Sequence, residues 1–326
     1  MPMVLYRDLN LITQPFSRPV ITIGNFDGVH LGHQTLFGLV RERAAAVNGH
    51  SVVITFDPHP IKLMQPGRQL PLLTTTDQKI RLLGELNLDI VIVHPFTKEF
   101  GAMPAREFIQ HYLLERLGVQ EIVIGHDYRF GHNREGNIAL LQTLGAAWGF
   151  PVHVVDAIQV DEIIVSSTLI RNLIRDGKVA AARTFLGRPY EVTGEVIHGH
   201  GRGARLLGFP TANIRADNEL LPVAGIYAVR ATLWGRTYAA VANIGVCPTF
   251  DNDELSLEVH ILDFNQDIYG SHLAVEFVQR LRDERRFPNI PALVDQIKTD
   301  VEAARQIVRL EGRDRHEVEV SRQNTS

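Results

Sequence analysis

The chain has 326 residues, of which 45% are hydrophobic, and a formal net charge of −4 at pH 7. This length allows two domains with buried cores, and the mixture of acidic and basic residues excludes a surface built to bind nucleic acid. A single cysteine, Cys247, excludes a disulfide framework, and the sequence contains neither a signal peptide nor a membrane span, so we expect a soluble cytoplasmic protein.

The first half of the chain repeats a strand followed by a helix. Apolar, β-branched runs begin near Val20, Ser51, Asp89, Glu121 and Pro151. Segments with helical periodicity lie between them, over Gln34–Val47, Asp77–Leu86, Ala105–Leu117 and Ile138–Trp148. Continuous apolar strands at this spacing are typical of βαβ units in a parallel sheet that is covered on both faces. Ligands of such sheets bind beyond the carboxyl ends of the strands, where Gly24–His33, His59 and the Gly125–Gly136 loop fall.

The stretch after the first of these strands reads Gly24-Asn25-Phe26-Asp27-Gly28-Val29-His30-Leu31-Gly32-His33. Glycines let the backbone approach an anion closely, and a helix N-terminus presents N–H groups with partial positive charge. His30 and His33 can both donate to phosphate oxygens, so the stretch predicts a binding site for a nucleotide triphosphate. Two surface histidines beside a helix start would look the same. A zinc site lacks an obvious third ligand, and no P-loop sequence occurs.

A second phosphate-binding segment, Val165–Arg171, offers hydroxyl groups at a helix start and an arginine one turn later. Taken alone, an ordinary N-cap followed by a solvated arginine would explain it. Together with the two histidines, the segment resembles the HxGH nucleotidyltransferase superfamily, in which an acceptor attacks the α-phosphate of ATP and expels pyrophosphate. Such chemistry depends on in-line positioning and on stabilisation of phosphate charge.

After Arg188-Pro189 the pattern changes to alternating segments separated by turn residues. These segments cover Tyr190–Ile197, Gly225–Leu233, Thr237–Ile244, Leu255–Leu262 and His272–Val278. They predict antiparallel strands in a small barrel, followed by an amphipathic helix from Pro291 to about Leu310. We therefore predict domains over 1–186 and 187–312, and a polar, disordered tail over 313–326.

A glycine-rich string, His198–Asn213, follows the first strand of the predicted barrel and ends in Pro210-Thr211-Ala212-Asn213. A flexible hairpin loop would explain its glycines but not this ending, which is similar to the riboflavin kinase signature. Gly24–His33 and Ser166–Arg171 resemble the motifs of the FAD synthetase module. From about residue 1 to 312 the chain resembles the bacterial bifunctional riboflavin kinases/FAD synthetases. The resemblance implies a Rossmann-like α/β HxGH nucleotidyltransferase domain with a parallel sheet, then an antiparallel β-barrel riboflavin kinase domain with a C-terminal helix.

The resemblance also implies the ligands: ATP, Mg²⁺, and riboflavin, FMN and FAD as substrates or products, with a homo-oligomer left open. The ATP site of the first domain would comprise Gly24, Asn25, Phe26, Asp27, Gly28, His30, His33, Ser167, Thr168 and Arg171. Of these, His30, His33 and Arg171 would serve adenylyl transfer directly. Flavin or nucleotide would lie near His59, Asp127 and Phe130. For His59, a rigid proline turn is the structural alternative.

In the second domain the resemblance assigns ATP to Gly199, Gly201, Gly203, Gly208, Thr211 and Asn213. Thr211 and Asn213 would also hold Mg²⁺, since hard oxygen ligands suit this ion. Glu258 would take the proton from the riboflavin hydroxyl, and Arg280 and Arg282 would help the segment Arg280–Phe287 close over the flavin. The alternation of apolar residues independently turns Glu258 away from the core. A solvated glutamate and a solvated charge run would nevertheless show the same patterns.

Two rival functions remain open from the residues alone. One is a nucleotidyltransferase with another acceptor, fused to a β domain that only binds. The other is a flavin-binding regulatory or storage protein with decayed sites. The presence of Thr211, Asn213 and Glu258 together argues against a β domain that only binds. A protein with decayed sites should lack some phosphate-binding residues, and none is missing from these motifs.

Overall fold

The computed structural model describes residues 3–198, 208–248 and 253–323. The chain divides into two compact units, Met1–Ser167 and Thr168–Ser326. The boundary predicted from the sequence, between 186 and 187, lies two helices further along the chain. No helix in the described ranges is long and apolar enough to cross a membrane.

The first unit is built on six parallel strands in the order β1-β4-β3-β2-β5-β6. They are β1 (Val4–Tyr6), β2 (Val20–Ile23), β3 (Ser51–Asp57), β4 (Ile90–Pro95), β5 (Glu121–Gly125) and β6 (Val152–Val155). The helices are α1 (Leu31–Ala46), α2 (Pro60–Met64), α3 (Thr76–Glu85), α4 (Lys98–Gly101), α5 (Ala105–Phe108), which continues as a π-helix over Ile109–Arg116, and α6 (Ile138–Trp148). The parallel sheet is confirmed; β1 is an addition, because three residues are too few to show a period.

Both faces of this sheet are buried, as its continuous apolar strands predict. Ile21 and Ile54 belong to the apolar cluster on one face, whereas Val20 and Val53 belong to the cluster on the other. All strands point the same way, so the carboxyl ends of β2, β3 and β5 meet at one edge. The loops that follow these three strands are therefore brought together by the sheet itself.

The first unit ends with a short hairpin, β7 (Gln159–Val160) and β8 (Ile163–Ile164), and with the first residue of α7 (Ser167–Arg175). The second unit contains the rest of α7 and then α8 (Val179–Leu186). Its six antiparallel strands close into a barrel in the order β10-β13-β12-β11-β14-β9. They are β9 (Tyr190–Ile197), β10 (Ala212–Ala216), β11 (Gly225–Leu233), β12 (Arg236–Pro248), β13 (Asp253–Ile261) and β14 (His272–Arg282). The last helix, α9 (Ile290–Gln323), packs against β11, β12 and β14.

Two features of this unit differ from the sequence prediction. Strand β10 was not predicted, because its alternation of apolar and polar residues spans only five positions and two of its three apolar residues are alanine; Ile214 is its one buried residue. The last helix does not end near Leu310: helical backbone continues to Gln323, over part of the segment predicted to be a disordered tail. Arginine and glutamate, which favour helices, make up much of that extension, so polarity alone was a poor sign of its end.

Candidate functional site

The turn between β2 and α1 carries a strained backbone. Phe26, Gly28 and Val29 have φ values of 49°, 83° and 44°. A positive φ is uncommon outside glycine and is an outlier for a β-branched residue such as Val29. The side chains of Phe26 and Val29 are both buried in the apolar cluster beneath the turn. Core packing therefore holds the turn in a conformation that costs free energy, as is common at functional sites.

His30 and His33 form a stacked pair at the start of α1. Their ring centroids are 3.6 Å apart with an interplanar angle of 20°, and the Phe26 ring lies edge-on to His33 at 5.2 Å. A Cβ on Gly32 would come within 3.2 Å of His30 Cε1, so a glycine between the two histidines leaves the ring in place. The helix N-terminus and the imidazoles together form a site suited to phosphate oxygens.

Asp27 supports this turn from inside the protein. Only 4% of the residue is exposed, and its Oδ1 accepts hydrogen bonds from the backbone N–H groups of Leu73 at 2.9 Å and Thr74 at 3.3 Å. The Thr74 hydroxyl in turn accepts from the Gly28 N–H at 3.2 Å, and the Ser167 hydroxyl donates to the Asp27 carbonyl at 2.9 Å. The Asp27 carboxylate thus joins the turn to the loop before α3, and its predicted ATP contact stays a prediction.

A buried lysine below the turn was missed by the sequence analysis. Lys79 is 5% exposed, and its Nζ donates to the Asn25 carbonyl at 2.9 Å and to Thr55 Oγ1 at 3.4 Å. Burial lowers the pKa of Lys79, whereas the carboxylates of Asp27 and Asp57 raise it. In the sequence Lys79 was one more polar residue of an amphipathic helix, with no signal to set it apart.

The remaining predicted residues of the first domain occupy different settings. His59 caps α2, since its Nδ1 accepts from the Ile61 N–H at 3.2 Å. Asp127 is exposed after β5, and the ring of Phe130 stacks on Tyr128 with centroids 5.2 Å apart. Both lie in the loop at the carboxyl end of β5, as predicted.

Helix α7 carries the other residues predicted for the ATP site of the first domain. Ser167 belongs to the first unit and contacts the turn through Asp27. Thr168 and Arg171 belong to the second unit, where Arg171 is buried. The contact of Thr168 and Arg171 with ATP stays a prediction.

On the barrel, three polar side chains stand in one row across adjacent strands. Glu258 of β13 is paired in register with Asn213 of β10 on one side and with Asn243 of β12 on the other. The neighbours of Glu258 along β13, Leu257 and Val259, are buried, so Glu258 stands on the opposite face from the barrel core. The structure thus brings Asn213 and Glu258 together, as the sequence analysis expects.

Thr211, Gly245 and Glu284 lie beside this row. The Thr211 side chain lies close enough to Glu258 to affect the pKa of its carboxyl group. A Cβ on Gly245 would lie 2.9 Å from Glu284 Oε1. A glycine at this position therefore leaves room for the Glu284 carboxylate. Burial, and then the charge of Glu284, raise the pKa of Glu258, and the Thr211 side chain opposes this rise. A carboxylate with a raised pKa is a better proton acceptor near neutral pH.

Asn243 is a further residue to which the sequence analysis gave no role. Its Oδ1 is buried and has no hydrogen-bond partner within the described part of the chain. An orphaned acceptor beside Asn213 and Glu258 is suited to a cation or to a donor on a ligand. In the described ranges, no group of three or more His, Cys, Asp or Glu residues could hold a metal ion. A divalent ion here would therefore depend on hydroxyl and amide oxygens together with ligand phosphates.

The two arginines predicted to lie over the flavin are held by protein contacts. Arg280 donates to the Ala224 carbonyl at 2.7 Å and forms an ion pair with Asp283. Arg282 binds both carboxylate oxygens of Asp300 on α9. These contacts anchor the start of the segment Arg280–Phe287, and a flavin contact stays a prediction.

The glycines predicted to bind ATP in the second domain are described only in part. Gly208 has a φ of 77°, while Gly199, Gly201 and Gly203 lie outside the described residues.

Comparisons with known proteins match the two halves separately. A family model described as FAD synthetase matches residues 13–169, and one described as riboflavin kinase matches residues 186–308. Bifunctional riboflavin kinase/FMN adenylyltransferases are similar over nearly the whole chain. That of Pseudomonas fluorescens is 39% identical over 94% of this chain and 98% of its own, and that of Escherichia coli K12 is 37% identical over 91% and 95%.

A solved structure has the same fold over most of its length. Described as a macrolide-efflux protein from Streptococcus pneumoniae, it superposes with a TM-score of 0.84 and is 32% identical. The match covers 94% of this chain and 99% of that one. The arrangement of a parallel-sheet unit followed by a barrel is therefore shared with an experimentally determined structure.

Proposed function

The chain belongs to the family of bifunctional riboflavin kinases/FMN adenylyltransferases, and from this premise we propose which residues carry each of its two reactions. The riboflavin kinase half makes FMN from riboflavin and ATP, and the FAD synthetase half makes FAD from FMN and ATP. The observation that carries the proposal is that each half has its own polar cluster: the histidine pair in one, the row around Glu258 in the other.

In the kinase half, Glu258 takes the proton from the primary hydroxyl of riboflavin. The freed oxygen attacks the γ-phosphorus of ATP, a new P–O bond forms, and the bond to the leaving ADP breaks. The raised pKa of Glu258 supports this role, because the carboxylate then binds the proton more readily as the hydroxyl reacts. Asn213 and Asn243 are the register partners of Glu258 on the two neighbouring strands, so each places an amide group beside it.

Thr211 and Asn213 fit a Mg²⁺ ion that enters with ATP. They offer a hydroxyl and an amide oxygen next to the orphaned Asn243 Oδ1, the oxygen chemistry that Mg²⁺ prefers. The bound ion would supply charge stabilisation for the transferred phosphoryl group. The protein residues keep their own tasks: Thr211 lies beside Glu258, and Glu258 accepts the proton.

In the FAD synthetase half, no general base is required. A phosphate oxygen of FMN already carries negative charge, so it attacks the α-phosphorus of ATP directly and pyrophosphate leaves. Such a site must position the two substrates and offset the charge on the polyphosphate. His30 and His33, held at the N-terminus of α1 by the strained turn, supply donors for this task.

One experiment tests the assignment of the two clusters. The purified protein is incubated with riboflavin, ATP and Mg²⁺, and the flavins are separated by chromatography. Wild type forms FAD; Asn213→Asp leaves riboflavin but still converts supplied FMN; the double variant His30→Ala/His33→Ala accumulates FMN. If either variant loses both activities while it remains folded, the assignment of separate sites is wrong.

We also propose that the enzyme is cytoplasmic. The single cysteine supports a reducing compartment. Fractionation of the source cells, with both activities recovered in the soluble fraction, checks this assignment.

A further inference from the structure

A buried cation lies under the turn that is assigned to ATP. Lys79 reaches this position from the first turn of α3, which is fixed by a capping box: the Gln78 N–H donates to Thr75 Oγ1 at 3.1 Å, and Gln78 Oε1 accepts from the Thr75 N–H at 3.0 Å. These bonds stabilise the start of the helix. A lysine that is 5% exposed is uncommon unless its charge is used.

Lys79 fixes one peptide group of the turn. The Asn25 carbonyl accepts from Lys79 Nζ at 2.9 Å and from Thr55 Oγ1 at 3.2 Å. Lys79 comes from α3 and Thr55 from β3, so two elements far apart in sequence hold the same carbonyl oxygen. Because Asn25 directly precedes the strained residue Phe26, these bonds keep the backbone in its positive-φ conformation.

Lys79 also bears on the charge of the turn. The turn contains a buried carboxylate, Asp27, yet it is assigned to a ligand with several negative charges. A carboxylate in such a place opposes the ligand unless a cation offsets it. The ammonium group of Lys79 interacts with this carboxylate, and with that of Asp57, by charge. This one cation reduces the negative charge beneath the turn, while the hydrogen bonds of Asp27 are kept.

We propose that Lys79 is a positioning residue of the adenylyl-transfer site: its buried ammonium group holds the Asn25 carbonyl and offsets the Asp27 carboxylate, so that the turn accepts a triphosphate. This inference rests on the proposed assignment of the turn to ATP. It adds a residue of α3, remote in sequence from the histidine pair, to the determinants of ATP affinity.

The test uses the full chain and measures FAD formation from FMN at varied ATP concentration. Lys79→Met is expected to raise the KM for ATP by roughly tenfold, the order of effect that loss of one nearby charge has on a bound anion. Lys79→Gln keeps a donor for Asn25 without the charge, so it should also raise this KM, and it serves if the methionine variant does not fold. Riboflavin kinase activity of the same samples reports the amount of active protein.

Two matched variants separate a charge effect from a loss of stability. Thr75→Ala removes the N-cap of the same helix but keeps Lys79, so it should lower the melting temperature and leave the KM for ATP unchanged. Asp27→Asn keeps the Oδ1 acceptor and removes the charge. Added to Lys79→Met, it should recover at least part of the lost ATP affinity.

The inference is overturned if Thr75→Ala and Lys79→Met raise the KM for ATP equally, because the lysine is then merely structural. It is also overturned if Asp27→Asn recovers nothing in the Lys79→Met background. Failure of the underlying site assignment looks different: His30→Ala/His33→Ala would then form FAD at the wild-type rate.

Discussion

The two polar clusters of this enzyme are assembled in different ways. The one around His30 and His33 collects loops from the carboxyl edge of a parallel sheet, and it depends on a strained turn held by buried side chains. The one around Glu258 lies on neighbouring antiparallel strands, where the hydrogen-bond register alone puts Asn213 and Asn243 beside it. The first is therefore sensitive to the core beneath it, and the second to strand register.

The largest effect is expected on riboflavin phosphorylation, and it tests whether the two polar clusters work separately. Glu258→Gln removes the proton acceptor without changing the shape of the barrel, so kcat for riboflavin phosphorylation should fall by about 10³. Steady-state kinetics of FMN formation measure this, with FMN adenylylation as the control. A fall in both activities would mean that the two clusters do not work separately.

A substitution in the strained turn should show its dependence on the core. Gly28→Ala places a Cβ 2.7 Å from Leu73 Cδ1 at a φ of 83°, and should destabilise the first unit by roughly 3 kcal/mol. Gly149→Ala is the matched control, since φ is 86° and nothing lies within 4 Å; it should cost roughly 1 kcal/mol. Urea unfolding compares them, and equal losses would show that contact with Leu73 has no effect.

A smaller effect is expected from a methyl group between the histidines. Gly32→Ala brings a Cβ to 3.2 Å from His30 Cε1, which should displace the ring and lower kcat/KM for FMN adenylylation by about tenfold. Gly38→Ala, on the same helix, meets nothing within 4 Å and should leave the rate unchanged. If the two variants react at the same rate, the position of His30 does not limit the reaction.

The smallest effect concerns the opposite edge of the parallel sheet, away from the histidines. Arg43 donates to both carboxylate oxygens of Glu121 at 2.7 and 2.8 Å, and these bonds hold the pKa of Glu121 below its usual value. Such a carboxyl stabilises the fold above its unfolded pKa of about 4.3, and this stabilisation is lost as the pH falls through the lower, folded value.

The urea midpoint of wild type should therefore exceed that of Glu121→Gln at about pH 6, and the gap should narrow towards about pH 3. The activities are measured at neutral pH as a check that both proteins fold. A gap that stays constant over this range would contradict the role of Glu121.

Much of the fold could be predicted from the sequence, because its signals are local. The apolar runs predicted five of the six parallel strands, and alternation over Leu255–Ile261 predicted that Glu258 faces away from the barrel core. The resemblance supplied the identity of the flavin substrates, which no periodicity could. Matches of the two halves to separate enzyme families speak against both rival functions.

What escaped prediction depends on contacts between distant parts of the chain. Lys79 and the carbonyl it holds are 54 residues apart, and helical periodicity cannot say that a particular lysine reaches under a particular turn. Asn243 gains its significance only from pairing with Glu258 on the neighbouring strand. The internal hydrogen bonds of Asp27 were likewise unpredictable, because a carboxylate in a phosphate-binding turn looks the same whether it faces the ligand or the core.

The row of Asn213, Glu258 and Asn243 has a consequence for how this protein can vary in length. Side chains alternate faces along a strand, so an insertion of one residue in β13 before Glu258 would turn the carboxylate towards the core and a leucine towards solvent. Core residues of similar volume can be exchanged without moving the row. Across descendants of this sequence, the barrel strands should therefore tolerate substitutions far better than single-residue insertions, which belong in the turns.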